Sequence, residues 1–218
     1  MFSLMIEKAL RIAAVAHAGQ MRKGSAIPYL THPVQVAIIL ERNGFDDDRI
    51  IAAAILHDVV EDTSVPLKEL QDQFPPEVGE WVAALSERKI DVCGASRSWE
   101  DRKREHLDEI GHAPLEARAI ALADKLHNIE SIVIDLDLGE DVWSRFNAPR
   151  ERLHWYYSEM IAATSADAAS RTAGNRVERQ LETALPGIPH RRRGCVAPHA
   201  QSVELNGDVL DERSDIGD

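Results

Sequence analysis

Cysteine is nearly absent: Cys93 and Cys195 are the only two in 218 residues, so no disulfide framework can carry the fold. No apolar run is long enough to cross a bilayer as a helix. The start, Met1-Phe2-Ser3-Leu4 with Glu7 soon after, lacks the basic head, apolar stretch and small-residue cleavage site of a secretory signal. These absences together give an expectation of a cytoplasmic protein. Positive charge is also short, with 25 Lys and Arg against 37 Asp and Glu and a formal net charge of −12. That balance argues against broad binding to nucleic acid or to an anionic membrane. It leaves room for a small anionic ligand, because a few local cations and a bound metal can invert the field inside one cleft. Strand pairs joined by hairpin turns are missing too, as are internal repeats.

What is present is helical periodicity. The length suits one well-packed domain, and 44% hydrophobic with 28% charged residues is ordinary for a globular chain. Leu4, Ala9, Ile12, Ala13 and Ala16 form an apolar stripe at three-to-four spacing. Pro33 can open a helix that ends near Asn43-Gly44, and Asp46 or Asp47 can cap the next, through Ile50–Leu56. Pro66, Pro75-Pro76 and Pro114 mark three further starts, and Ser98 can cap a charged helix from Trp99 to Ile110. Helices are also expected over Arg150–Ala163 and Thr172–Leu185. The fold class read from this pattern is all-α, a helical bundle over residues 1–185. From Pro186 onward periodicity stops, and residues 186–218 read as a disordered tail. His190, Cys195 and His199 match no zinc spacing, and Arg191-Arg192-Arg193 reads as a solvated run.

The chemistry is concentrated where the apolar run Ile50–Leu56 leads into His57-Asp58-Val59-Val60-Glu61-Asp62. On one continuous helix, the pairs His57/Glu61 and Asp58/Asp62 each stack on a face, and neighbours differ by about 100°. Three carboxylates in one arc repel one another. A buried, uncompensated charge costs several kcal/mol, against a total stability of about 5–15 kcal/mol. A divalent metal is the simplest compensating cation. Asp124 sits in a second apolar run, Ala119–Leu126, and His32 stands at a helix entrance between Thr31 and Pro33. His32, His57, Asp58 and Asp124 therefore form a candidate mixed N/O ligand set, suited to Mn²⁺, Fe²⁺ or Zn²⁺ with positions left for water. The competing explanation, an internal salt-bridge network, needs cations in the same stretches, and Lys125 is the one nearby.

Two basic clusters accompany this set. Arg22-Lys23 lies within ten residues of His32 and is a candidate phosphate clamp, whereas Arg102-Lys103-Arg104 reads equally as a clamp or a solvated helix face. His17 reads as a packing or loop-anchoring residue and His127 as a neighbour of the site that does not ligate. Trp143, Trp155, Tyr156 and Tyr157 read as core.

Four motifs occur in order: His17-x-Gly19-Gln20-x-Arg22-Lys23-Gly24, Pro28-Tyr29-x-x-His32-Pro33, His57-Asp58-x-x-Glu61-Asp62 and Leu122-Ala123-Asp124-Lys125-x-x-Asn128. This order and spacing closely resembles the hydrolase domain of RelA/SpoT-type alarmone enzymes, from about Ile6 to Leu185, with no nucleotide-synthesising domain following. The resemblance implies an all-helical HD fold, a single Mn²⁺ on His32, His57, Asp58 and Asp124, and removal of the 3′-pyrophosphate from guanosine 3′,5′-bis(diphosphate), ppGpp. It implies that Glu61 and Asp62 position and deprotonate the attacking water, and that Arg22 and Lys23 line the nucleotide pocket. Asn128 and Ser131 would contact base or ribose, and Lys103 would face the phosphates. The sequence departs from the family at Arg152, where some small members carry tyrosine, and over Glu87–Arg97 on the expected pocket rim. Two alternatives stay open at this point: an HD-type phosphatase acting on NADPH or nucleoside monophosphates, and a non-catalytic alarmone-binding module.

Overall fold

Helices account for the secondary structure of the described residues, which in this computed structural model are 2–91, 93–146 and 148–164 together with Arg179 and Thr183. Strand-like pairing among them is confined to two isolated bridges, Met21 with Pro28 and Ile90 with Ser96. The chain runs α1 (Leu4–Ala16), α2 (Thr31–Arg42), α3 (Asp48–Leu56), α4 (Val59–Asp62), α5 (Leu67–Gln73), α6 (Pro76–Leu85), α7 (Trp99–His112), α8 (Leu115–Asp137) and α9 (Arg150–Thr164), with a 3-10 turn at Trp143–Arg145. The expected helix Thr172–Leu185 and the tail from Pro186 lie outside the described residues, apart from Arg179 and Thr183. None of the described helices is long and apolar enough to cross a membrane.

Local chemistry explains the boundaries. Ser3 accepts from the Ile6 amide at 3.3 Å, Asp47 from Arg49 at 2.9 Å and Ser98 from Asp101 at 3.2 Å. Each such cap stabilises a helix start by about 1 kcal/mol. Pro76 occupies the first turn of α6, where its missing N–H costs nothing. Helix α2 begins at Thr31, two residues before Pro33, so the proline sits inside the first turn rather than opening it.

The apolar run Ile50–Leu56 is buried residue by residue. It makes α3 the central rod, touched by α1, α2, α6 and α8. Ala52, Ala53 and Ala54 have no exposure at all, and their small side chains let the surrounding helices approach closely. Helix α8 crosses the same core with Ile120, Leu122, Leu126 and Ile129 buried. The core thus places three polar positions near one another: the first turn of α2, the end of α3 and the middle of α8.

One sequence expectation needs correction here. The run from Ile50 to Asp62 is two helices, because regular α-helix ends at Leu56 and restarts at Val59. His57 (φ −56, ψ −37) and Asp58 (φ −94, ψ −8) stay in right-handed conformations, so the chain turns without reversing. The Asp62 amide still bonds the Asp58 carbonyl at 2.8 Å, and Glu61 and Asp62 remain one turn beyond the His-Asp pair.

Candidate metal centre and substrate cleft

His32, His57 and Asp124 offer ligand atoms that all lie within 4.8 Å of one another, and all three residues are buried. His32 Nε2 is 3.2 Å from Asp124 Oδ1 and 3.5 Å from Asp58 Oδ2. His57 Nε2 is 2.8 Å from Asp58 Oδ2 and 4.0 Å from Asp124 Oδ1. The other ring nitrogens are engaged elsewhere: His57 Nδ1 donates to the Ala54 carbonyl at 2.7 Å, and His32 Nδ1 is 2.7 Å from His127 Nδ1. Such outer contacts set ring orientation and tautomer. Both Nε2 atoms are buried, make no well-directed hydrogen bond, and face carboxylate oxygens of Asp58 and Asp124. Buried polar atoms so placed are costly unless a proton or a cation joins them. Two imidazole nitrogens and an Asp124 oxygen within 4.8 Å of one another, with Asp58 Oδ2 beside both rings, fit a divalent cation.

The surrounding charges support this fit. Burial disfavours a charged His57, but the Asp58 carboxylate outweighs it and, with Asp124, pushes His57 up to about 10. Burial likewise opposes ionisation of Asp58, yet its contact with His57 holds it well below the usual carboxylate range. In the metal-free protein a proton therefore occupies the place of the cation, and metal binding releases it. Burial lowers His32 and brings His127 down to about 3, so both stay neutral, the form that binds metal or accepts a proton. Lys125 Nζ takes the other Asp124 oxygen at 2.7 Å, leaving Oδ1 toward the histidines. Lys125 alone does not balance two buried carboxylates, so the second positive charge comes either from a proton on His57 or from a bound cation in its place.

Beside this cluster lies a small pocket of about 440 Å³, lined by Glu61, Asp62, Glu87, Lys103 and His106 together with His57, Asp58 and Asp124. Glu61 Oε2 accepts the Glu87 backbone N–H at 3.0 Å. Burial, then the Glu87 carboxylate, pushes Glu61 up to about 7. Tyr29 donates its hydroxyl to Asp58 Oδ2 at 2.7 Å and also lies 3.4 Å from Asp62 Oδ2, tying the two acids together.

Lys103 and Lys125 also wall a second, larger cleft of about 970 Å³. Arg22, Lys23 and Arg145 add three more cations there, against one lining carboxylate, Asp135. Within a chain of net charge −12, this is a local reversal of sign. Tyr156, Tyr157, Trp99 and Phe146 supply its apolar wall.

The expected residues distribute as follows. His32, His57, Asp58 and Asp124 converge, with Glu61 and Asp62 in the adjoining pocket. Arg22, Lys23, Asn128, Ser131 and Lys103 line the large cleft. Asn128 is already engaged at both amide atoms, accepting from Arg22 at 2.7 Å and donating to Asp124 Oδ1 at 2.7 Å. Ser131 donates to the His127 carbonyl at 2.9 Å, and Lys103 pairs with the buried Glu87. The second basic cluster divides: Arg102 and Lys103 are buried and Arg104 is exposed, so it is not a uniformly solvated face. Tyr156 and Tyr157 are core residues, as expected, but they also line the cleft. His17 Nδ1 is 2.6 Å from Gln20 Oε1, consistent with loop anchoring. Sequence reasoning gave no individual role to Glu87 and Lys89, which fall in the stretch expected on the pocket rim, or to Tyr29, which is named only within a motif, and it did not point to Arg145. Tyr29 alone had a local signal, three residues before His32.

Comparison with known proteins agrees with this geometry. Residues 9–149 match the family model described as HD domain. MESH1 of Danio rerio, a guanosine-3′,5′-bis(diphosphate) 3′-pyrophosphohydrolase, is 34% identical over 56% of this chain and 66% of its own length. The Xenopus tropicalis MESH1 is 33% identical over 59% of this chain and 69% of its own. A probable GTP pyrophosphokinase of Mycobacterium leprae is 35% identical over 59% of this chain, which spans only 16% of that longer protein. Among solved structures, a metazoan ortholog of SpoT, described as hydrolyzing ppGpp and playing a role in starvation responses, superposes with a TM-score of 0.67. It is 26% identical and covers 83% of this chain and 97% of its own. With the His-Asp cluster, the all-helical frame and the family match over residues 9–149 in agreement, the chain belongs to the HD-domain family.

Proposed function

We propose that this protein is a cytoplasmic hydrolase that removes the 3′-pyrophosphate from ppGpp, giving GDP and pyrophosphate, with Mn²⁺ as its metal. One observation carries the reading: a buried His/Asp cluster, flanked by a carboxylate pair, shares its wall with a cleft lined by Arg22, Lys23, Lys103, Lys125 and Arg145. A metal-site pocket beside a cation-rich cleft with aromatic surfaces suits a nucleotide bearing phosphates at more than one position. The MESH1 relatives and the SpoT-ortholog structure support the same substrate.

His32, His57, Asp58 and Asp124 would hold the cation. When bound, it supplies Lewis-acid polarisation of a phosphoryl oxygen and acidification of water. Glu61 then accepts the proton of the attacking water at Oε1, since Oε2 is occupied by the Glu87 amide. A midpoint of about 7 suits a general base near neutral pH. Asp62, tied through Tyr29 to Asp58, orients the water. Arg22 and Lys23 bind the nucleotide phosphates, and Lys103 and Lys125, on the wall between the pockets, offset charge developing on the pyrophosphate. The test is an Mn²⁺-supplemented assay across ppGpp, NADPH and nucleoside monophosphates. Preferential turnover of ppGpp is expected, and preference for either of the others would replace this reading.

A further inference from the structure

We propose that the extended segment between α6 and α7, residues 86–90, holds the Glu61–Asp62 pair in register, with Lys89 as its positioning residue. This rests on the reading that Glu61 and Asp62 serve the attacking water. Helix α4 has only four residues, Val59–Asp62, too few to fix its own last side chains. Lys89 compensates from outside. Its Nζ lies 2.9 Å from Asp62 Oδ1, 3.5 Å from Glu61 Oε1 and 3.4 Å from the Glu61 carbonyl oxygen. One ammonium thus meets both carboxylates and the backbone oxygen between them. Two residues earlier, the Glu87 amide donates to the other Glu61 oxygen at 3.0 Å. The Glu61 carboxylate is held from both sides by a single strand-like stretch.

That stretch is anchored. Glu87 pairs inward with the buried Lys103 of α7, Arg88 pairs outward with Glu109, and Arg97 pairs with Glu105. Glu87 and Lys89 reach the Glu61–Asp62 pair while Arg88 turns to Glu109, the alternation of extended backbone. An isolated surface ion pair would touch one acid and move freely. Here the side chain is 40% exposed, against 18% and 17% for its partners Glu61 and Asp62, so it covers the acid pair from the solvent side. It departs from α7-anchored backbone, and among the described residues its ammonium pairs with Glu61 and Asp62 rather than with a metal-site residue.

The test is Lys89→Met, with Lys89→Arg as the conservative partner, in the full chain. Two readouts are taken: steady-state hydrolysis of ppGpp, and amide hydrogen exchange of the metal-free protein followed at Glu87. Lys89→Met is expected to lower kcat by roughly tenfold to a hundredfold, the scale of a misplaced catalytic group, with KM within about twofold. Metal content should stay unchanged. The Glu87 amide should exchange at least about tenfold faster while α3 and α8 amides keep their protection. Lys89→Arg should restore most of both. Wild-type kcat together with wild-type Glu87 exchange in Lys89→Met would overturn the proposal. If the wild-type chain did not hydrolyse ppGpp at all, the substrate reading would fall separately, and the Glu87 exchange rates would still decide whether Lys89 holds the pair.

Discussion

His57 donates from Nδ1 to the carbonyl oxygen of Ala54, one turn back on the most deeply buried helix, at 2.7 Å. The bond spends the one backbone-facing nitrogen and aims Nε2 at Asp58, Asp124 and His32. The end of α3 is therefore both a helix terminus and a ligand mount.

Loss of that mount should remove the metal. His57→Ala is expected to leave dialysed protein with little bound metal, measured by elemental analysis. His127→Ala removes only the ring 2.7 Å from His32 Nδ1. It should weaken metal affinity by about 10–100-fold, the usual cost of losing an outer-shell partner. Full occupancy in His57→Ala would contradict the ligand assignment.

Glu61→Gln should separate metal binding from turnover. Gln keeps an oxygen to accept the Glu87 amide but takes no proton, so metal content should survive while kcat falls by about 10²–10⁴-fold. Near-normal turnover would show that the base lies elsewhere.

The pH profile follows from the same residue. A base works as its carboxylate, so kcat/KM should fall on the acid side as Glu61 takes up a proton. The midpoint should lie at or below the metal-free value of about 7, because a bound cation favours the carboxylate, and Glu61→Gln should lose that limb. The stability sign is opposite. A carboxyl raised in the folded state binds protons more tightly folded than unfolded, so its contribution to stability declines as pH rises from about 4.5 to about 7. Metal-free Glu61→Gln should accordingly gain in melting temperature relative to wild type at pH 8 more than at pH 4.

Lys23→Ala addresses the large cleft. A charge-assisted contact to phosphate contributes about 1.5–3 kcal/mol, so kcat/KM should drop at least about tenfold, mostly through KM. An unchanged KM would place the phosphates away from Lys23.

Gly24→Ala tests how that cleft is built. Gly24 has φ +68, and an added Cβ would lie 2.5 Å from Cδ of Arg145, whose guanidinium bonds Asp135 at 2.5 Å. The substitution should cost about 1–2 kcal/mol for the left-handed backbone alone and displace Arg145 from the cleft wall. A lower melting temperature with a raised KM is expected. A wild-type melting temperature would contradict the close approach.

Much of the frame was legible because it depends on local rules. The caps at Asp47 and Ser98 and the proline start at Pro76 are set by residues adjacent to the helices they begin. Three of the four converging positions were legible for a different reason: His57-Asp58 and Asp124 interrupt runs of apolar residues, where an ionisable side chain needs compensation, whereas His32 was marked by its place at a helix entrance and by its motif. The individual roles of Lys89, Glu87 and Arg145 were not legible, although the first two fall in the stretch expected on the pocket rim. These residues arrive on connecting segments whose course is set by tertiary contacts, and a lysine in a charged stretch reads the same whether solvated or covering an acid pair. The break at Leu56 was also hidden, since His57 and Asp58 keep nearly helical angles and the spacing to Glu61 and Asp62 survives it.

The products of ppGpp hydrolysis are the most direct measurement. Attack by water at the phosphorus bonded to the 3′ oxygen releases pyrophosphate and leaves GDP, and both should appear in equal amounts from the first turnovers when the Mn²⁺-loaded protein is followed by anion-exchange chromatography. Orthophosphate as the primary product would mean cleavage of a terminal phosphoryl group and would contradict the proposed pyrophosphohydrolase activity.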